Sequence, residues 1–120
     1  MATALIIKGA TVPFVYTKGK HLYTTVHIII GGVHVSLTGW TFRYVVKCPN
    51  CDVQVVATLS NYLEVVGTGL VRIKIPPAAL ANMPTGEKGC THGFEATNPD
   101  GIVFPIFSGE GEVLKDPTAV

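Results

Sequence analysis

The side chains with the richest chemistry are three cysteines and one histidine. Cys48 and Cys51 enclose Pro49-Asn50, and Cys90 is followed two residues later by His92. Two thiolates flanking a tight turn can reach one tetrahedral ion, and a structural zinc site needs four such donors. Residues two apart on a strand point to one face, so Cys90 and His92 can supply the second pair. Cys48, Cys51, Cys90 and His92 are therefore a candidate site for one structural Zn2+. Two other readings stand beside it. In one, Cys48 and Cys90 are small buried hydrophobes, as unpaired cysteines commonly are, and His92 is a hydrogen-bonded packing residue. In the other, Cys48 and Cys51 close a disulfide across their own turn. A redox Cys-x-x-Cys centre fits less well, because it normally sits at a helix N-terminus that stabilises the thiolate, and here the motif joins two strands. An odd number of cysteines also fits a secreted disulfide framework poorly and points to a reducing compartment.

No second constellation is apparent. His21, His27 and His34 lie in or beside strands at no ligand spacing and read as surface or packing residues. The carboxylates are too few and too scattered to nominate an acid–base pair. Ser36, Ser60 and Ser108 lack the sharp turn that presents a nucleophilic serine, and Gly67-Thr68-Gly69 precedes no helix that could cradle a phosphate. No catalytic and no cofactor-binding residue is nominated, and the chain does not read as an enzyme.

Around these residues the composition is 48% hydrophobic and only 14% charged, against a usual charged fraction of about a quarter. A surface that poor in charge is suited to being covered by other proteins. Nine basic residues against eight acidic ones leave a formal net charge of +1, which gives no reason to expect nucleic acid, whose binding requires many neutralised phosphates. A chain of 120 residues fits a single domain that buries roughly two thirds of its unfolded surface. Met1 to Lys8 is too short and lacks the charged lead and cleavage pattern of a signal peptide, and no apolar run reaches the roughly 18 residues that cross a bilayer. The expectation is a chain made in the cytosol and without a membrane role.

The elements that must position the cysteines are strands. Trp40, Phe42, Tyr44 and Val46 alternate with Thr41, Arg43, Val45 and Lys47, the two-residue period of a strand with one aromatic core face. Cys48 to Cys51 turns it, and Val53 to Leu59 returns as its hairpin partner. Gly89 to Thr97 places Cys90, His92, Phe94 and Ala96 on one face, and Asn98-Pro99-Asp100-Gly101 is a dense turn signal. If these two strands are antiparallel neighbours, the end of one lies beside the start of the other, and the two ligand pairs meet. Elsewhere, Ala4 to Ile7 reads as an edge strand, and Thr11 to Tyr16 as an extended segment that Pro13 keeps out of a sheet's centre. Thr24 to Ile30 reads as a strand leading into a Gly31-Gly32 hairpin with Val33 to Val35. Tyr62 to Val66 and Val71 to Ile75 read as further strands. Pro76 to Ala81 is the one short helical turn, with its prolines at the start. Ile102 to Phe107 and Glu112 to Leu114 form the last strand or strand pair, and Pro117 onward is a tail. Seven or eight strands at regular spacing predict one all-β, immunoglobulin-like antiparallel sandwich over residues 1–120, with Trp40 as its core anchor.

The order of these signals resembles a family of bacteriophage virion domains typified by the N-terminal domain of baseplate upper proteins. The matching pieces are Gly9-Ala10-Thr11, Gly31-Gly32, Leu37-Thr38-Gly39-Trp40-Thr41-Phe42, Val71-Arg72-Ile73, the Ala78-to-Pro84 turn, and Phe94-Glu95-Ala96-Thr97-Asn98-Pro99-Asp100-Gly101. The similarity spans nearly the whole chain. It implies a virion structural protein, assembled in the host cytoplasm, that docks on tail, baseplate or neck proteins and with copies of itself in a symmetric assembly. Because the chain ends where the domain ends, a free-standing adaptor without a fibre is expected. A capsid decoration protein and a carbohydrate-binding module on the same scaffold are the alternatives.

Overall fold

Alternation in residue type becomes alternation in burial along Thr41–Lys47: Phe42, Tyr44 and Val46 are buried, whereas Thr41, Arg43 and Lys47 are exposed. This strand lies inside a sheet of a computed structural model that describes residues 10–48, 54–81 and 88–114. Along the chain the strands are β1 (Ala10–Thr11), β2 (Phe14–Thr17), β3 (Leu22–His27), β4 (Ile29–Ile30), β5 (Val33–His34), β6 (Thr41–Lys47), β7 (Gln54–Ala57), β8 (Leu63–Gly67), β9 (Leu70–Ile75), β10 (Lys88–Thr97) and β11 (Val103–Leu114). One six-stranded sheet runs β1-β11-β10-β6-β7, with β2 also paired to β11, and a three-stranded sheet runs β3-β9-β8. The β4–β5 hairpin stands apart from both. A single core cluster takes Phe42, Tyr44, Phe94 and Val113 from the first sheet and Val26, Leu63, Val71 and Ile73 from the second. The two apolar faces thus close on each other, which makes the chain an immunoglobulin-like β-sandwich.

The antiparallel pairing expected between the Trp40 and Gly89 segments is present, with Thr97 opposite Thr41 and Thr91 opposite Lys47. Cys90, His92, Phe94 and Ala96 share the buried face of β10, and Trp40 is buried just ahead of β6. The β7 hairpin partner is also in place. The helical turn is a 3-10 turn, Pro77–Leu80, with proline at its first positions and Leu80 fully buried.

Three details differ from the sequence reading. Thr24 to Ile30 is not one strand: β3 stops at His27, and Ile28 turns inward to full burial, donating its N–H to the Gly69 carbonyl at 2.7 Å. The released Ile29–Ile30 then pairs with Val33–His34 across Gly31 and Gly32, whose φ values of 62° and 79° supply the left-handed turn. The last strand is continuous over Val103–Leu114 rather than interrupted, because β10, β1 and β2 all pair with it along its length. The segment broken by Pro13 pairs with that strand in parallel. The edge strand expected at Ala4 to Ile7, the Pro49-Asn50-Cys51 turn, Pro84 at the end of the Ala78-to-Pro84 turn, and the tail from Pro117 lie outside the described residues.

Candidate functional site

The β6–β10 register ends by placing Cys48 beside Cys90. Their Cα atoms are 4.1 Å apart, both side chains are buried, and their sulfurs are joined in a disulfide. This pairing was none of the three readings drawn from the sequence, which weighed a bond only between Cys48 and Cys51. Cys51 lies outside the described residues. Zinc requires thiolates, so a bonded Cys48–Cys90 pair and the four-ligand site exclude each other. Among the described residues no group of three or more histidine, cysteine, aspartate or glutamate side chains is arranged to hold a metal.

His92 is brought to the same region, and both of its ring nitrogens are engaged. Nε2 lies 2.6 Å from the Val12 carbonyl and Nδ1 lies 2.9 Å from the Tyr44 hydroxyl. A carbonyl can only accept, so Nε2 carries the proton and donates it; in the neutral ring Nδ1 then accepts from Tyr44. Burial lowers the His92 pKa, and the bond to Val12 only partly opposes this, which keeps the ring neutral near pH 7. The same burial pushes the Tyr44 hydroxyl far above its ordinary value, so it remains a donor. Phe14 and Phe107 pack around the imidazole at tilts of 58° and 59°, with ring centroids 5.2 and 5.0 Å from it. His92 therefore ties the Val12–Phe14 segment onto β10. A cleft of about 440 Å³ opens beside it between the sheets, lined by Val12, Phe14, Val26, Ile73, His92 and Phe107 among others.

Two glycines make that tie possible. A Cβ on Gly109 would fall on the Val12 carbonyl, and one on Gly111 on the Phe14 carbonyl. Only residues without a side chain let the first strands lie this close on β11. Neither glycine is singled out in the sequence reading; their spacing of two within a β-pattern is the signal that points to a close approach, without identifying the segment that approaches.

The opposite end of the sandwich is built differently. There the Ile28–Gly69 hydrogen bond sets the β4–β5 hairpin beside the β8–β9 turn, and Gly39 leaves room for the Pro99 ring in the β10–β11 turn. Asn98 caps that turn by accepting from the Asp100 and Ile102 amides through Oδ1. At this end Ile29, Ile30 and Val33 are 51%, 42% and 66% exposed, and Ile102 and Val103 are also exposed. No lysine, arginine, aspartate or glutamate occurs from residue 21 to residue 42. The hairpin thus presents an exposed apolar tip that carries no charged residue of its own. At its base His27 and His34 are both exposed, with Nδ1 of the first 3.1 Å from Nε2 of the second. His21 is exposed as well.

No family model and no curated protein matches the chain. Among solved structures it is similar to the extracellular domain of the voltage-gated sodium channel beta4 subunit, whose parallel homodimers explain that protein's role in cell–cell adhesion. The superposition has a TM-score of 0.50 at 7% sequence identity and covers 95% of this chain and 99% of that one. At that identity the likeness is one of fold.

Proposed function

We propose that the chain is a non-enzymatic binding module that works through protein–protein contact, as an adaptor or accessory subunit of a bacteriophage virion docking on tail, baseplate or neck proteins. The observation that carries the docking part is the charge-free hairpin with Ile29, Ile30 and Val33 exposed at one end of the sandwich. Such residues cost free energy in water, and that cost is recovered when a partner's apolar surface covers them. The virion part is supported by the motif order from Leu37-Thr38-Gly39 to Pro99-Asp100-Gly101. The Cys48–Cys90 disulfide is compatible with it, since a particle released from its host enters an oxidising medium where such a bond persists. Self-pairing belongs to the same reading: the sodium channel beta4 domain pairs with itself on a similar scaffold.

The test is to label intact particles with antibody against the chain and to reconstruct them by electron microscopy. Label on the tail, neck or baseplate supports the proposal, and label at the symmetry positions of the capsid shell replaces it with a decoration role. Particles without label, combined with glycan-array binding by the purified domain, would reassign the chain as a carbohydrate-binding module.

A further inference from the structure

We infer that His27 and His34 form a two-histidine chelate for a late first-row divalent cation such as Ni2+, Cu2+ or Zn2+, at the base of the exposed hairpin. The inference does not depend on the virion reading.

Metal–imidazole bonds of about 2.0–2.1 Å put two cis nitrogens roughly 2.9 to 3.4 Å apart, from square-planar to tetrahedral geometry. His27 Nδ1 and His34 Nε2 are 3.1 Å apart, inside that bite. The fold sets the two histidines side by side. Ile29 is opposite His34 in the hairpin register, and the Val35 N–H donates to the Ile28 carbonyl, which holds the end of β3 at His27 beside His34. His34 is seated by Gly69: a Cβ there would come within 2.9 Å of the His34 Cβ and Cδ2 atoms. Gly69 also has a φ of 69° and accepts the Ile28 N–H, so the element that seats His34 is the one that holds the hairpin against the sandwich.

The protons balance without release. In the metal-free pair one ring donates an N–H to the other ring's lone pair. To ligate, the donor ring moves its proton to its other nitrogen and rotates about its Cβ–Cγ bond, so that both lone pairs converge on the ion. The ligand set is two neutral nitrogens, with no lysine, arginine, aspartate or glutamate between residues 21 and 42. That set suits late transition ions and offers nothing to Mg2+ or Ca2+, which take oxygen ligands. No third histidine, cysteine or carboxylate among the described residues joins the pair, so water fills the remaining positions in the isolated chain.

The experiment uses the full chain without a histidine tag, titrated with CuCl2 and NiCl2 at pH 7.5. Substoichiometric Cu2+ is expected to broaden amide resonances first in residues 26–35 and 67–70. One Ni2+ per chain is expected, with affinity falling at least tenfold in His27→Gln and in His34→Gln and unchanged in His21→Gln. His27→Gln alters an exposed side chain and retains a folded spectrum, so it decides the matter even if the His34 variant rearranges the hairpin. Binding that survives His27→Gln, or broadening centred on His21 or His92, overturns the inference.

Discussion

At one end of the β6–β10 ladder two buried sulfurs are bonded and His92 fastens the first strands to the sheet. At the other end, roughly 20 Å along the strands, Ile29, Ile30 and Val33 stand in water on a hairpin held by a few backbone hydrogen bonds. The contrast separates two uses of apolar and polar side chains. Where both are buried and partnered they hold the fold; where apolar ones are exposed without charge around them they are available to another surface. Changes at the first end should therefore be read in stability, and changes at the second in association.

The largest effect is expected from the disulfide. It closes a loop with a sequence separation of 42, for which the chain-entropy relation gives about 4 kcal/mol. Urea denaturation of the Cys48→Ala/Cys90→Ala double variant should show a loss of that size, and a reductant should reproduce it in the parent chain while EDTA does nothing. Destabilisation by EDTA with no response to reductant would instead restore zinc at Cys48, Cys51, Cys90 and His92. Next comes Gly111→Ala. Its methyl meets the Phe14 backbone, which cannot give way as a flexible side chain would, and a cost of about 3 kcal/mol is expected, with loss of amide protection in β2.

Tyr44→Phe should cost about 1–2 kcal/mol, because it leaves the buried His92 Nδ1 without its donor. The pH dependence has a definite sign. Burial lowers the His92 pKa in the fold, so the unfolded chain takes up the proton first. The stability due to a neutral His92 is complete above the ordinary histidine value of about 6.5 and is lost as pH falls below it toward the folded value. Denaturation midpoints between pH 7.5 and 5 should fall in the parent and fall less in His92→Gln. The smallest stability change belongs to the hairpin: Ile29→Thr, Ile30→Thr and Val33→Thr should each stay within about 0.5 kcal/mol. Combined, they should abolish association with the particle or with a second copy, measured by sedimentation. If the triple variant unfolds instead, the two ends do not divide the work in this way.

The sandwich and its central pair of strands were legible because Trp40 to Lys47 and Gly89 to Thr97 carry an uninterrupted two-residue period, and burial follows that period directly. The adjacency of Cys48 to the start of β10 followed from the same pattern. What bond the sulfurs form did not, since the odd cysteine count pointed away from disulfides and the Cys48–Cys51 spacing drew attention to their own turn. The parallel docking of β1 and β2 on β11 was hidden because Gly109 and Gly111 look like strand breakers until the backbone they accommodate is in place. The His27–His34 contact was missed for a related reason. Seven residues apart they have no ligand spacing along one strand, and only the Gly31-Gly32 reversal and the inward turn of Ile28 bring the rings together.

The parallel pairing of the first strands with the last has a mechanical consequence. In parallel neighbours the leading end of one strand lies at the opposite extremity of the ladder from the trailing end of the other. Tension between the two extremities of the chain would drag β2 and β11 past each other, so their hydrogen bonds would share the load and yield together rather than open one by one. A link in a chain under pull gains resistance from that arrangement.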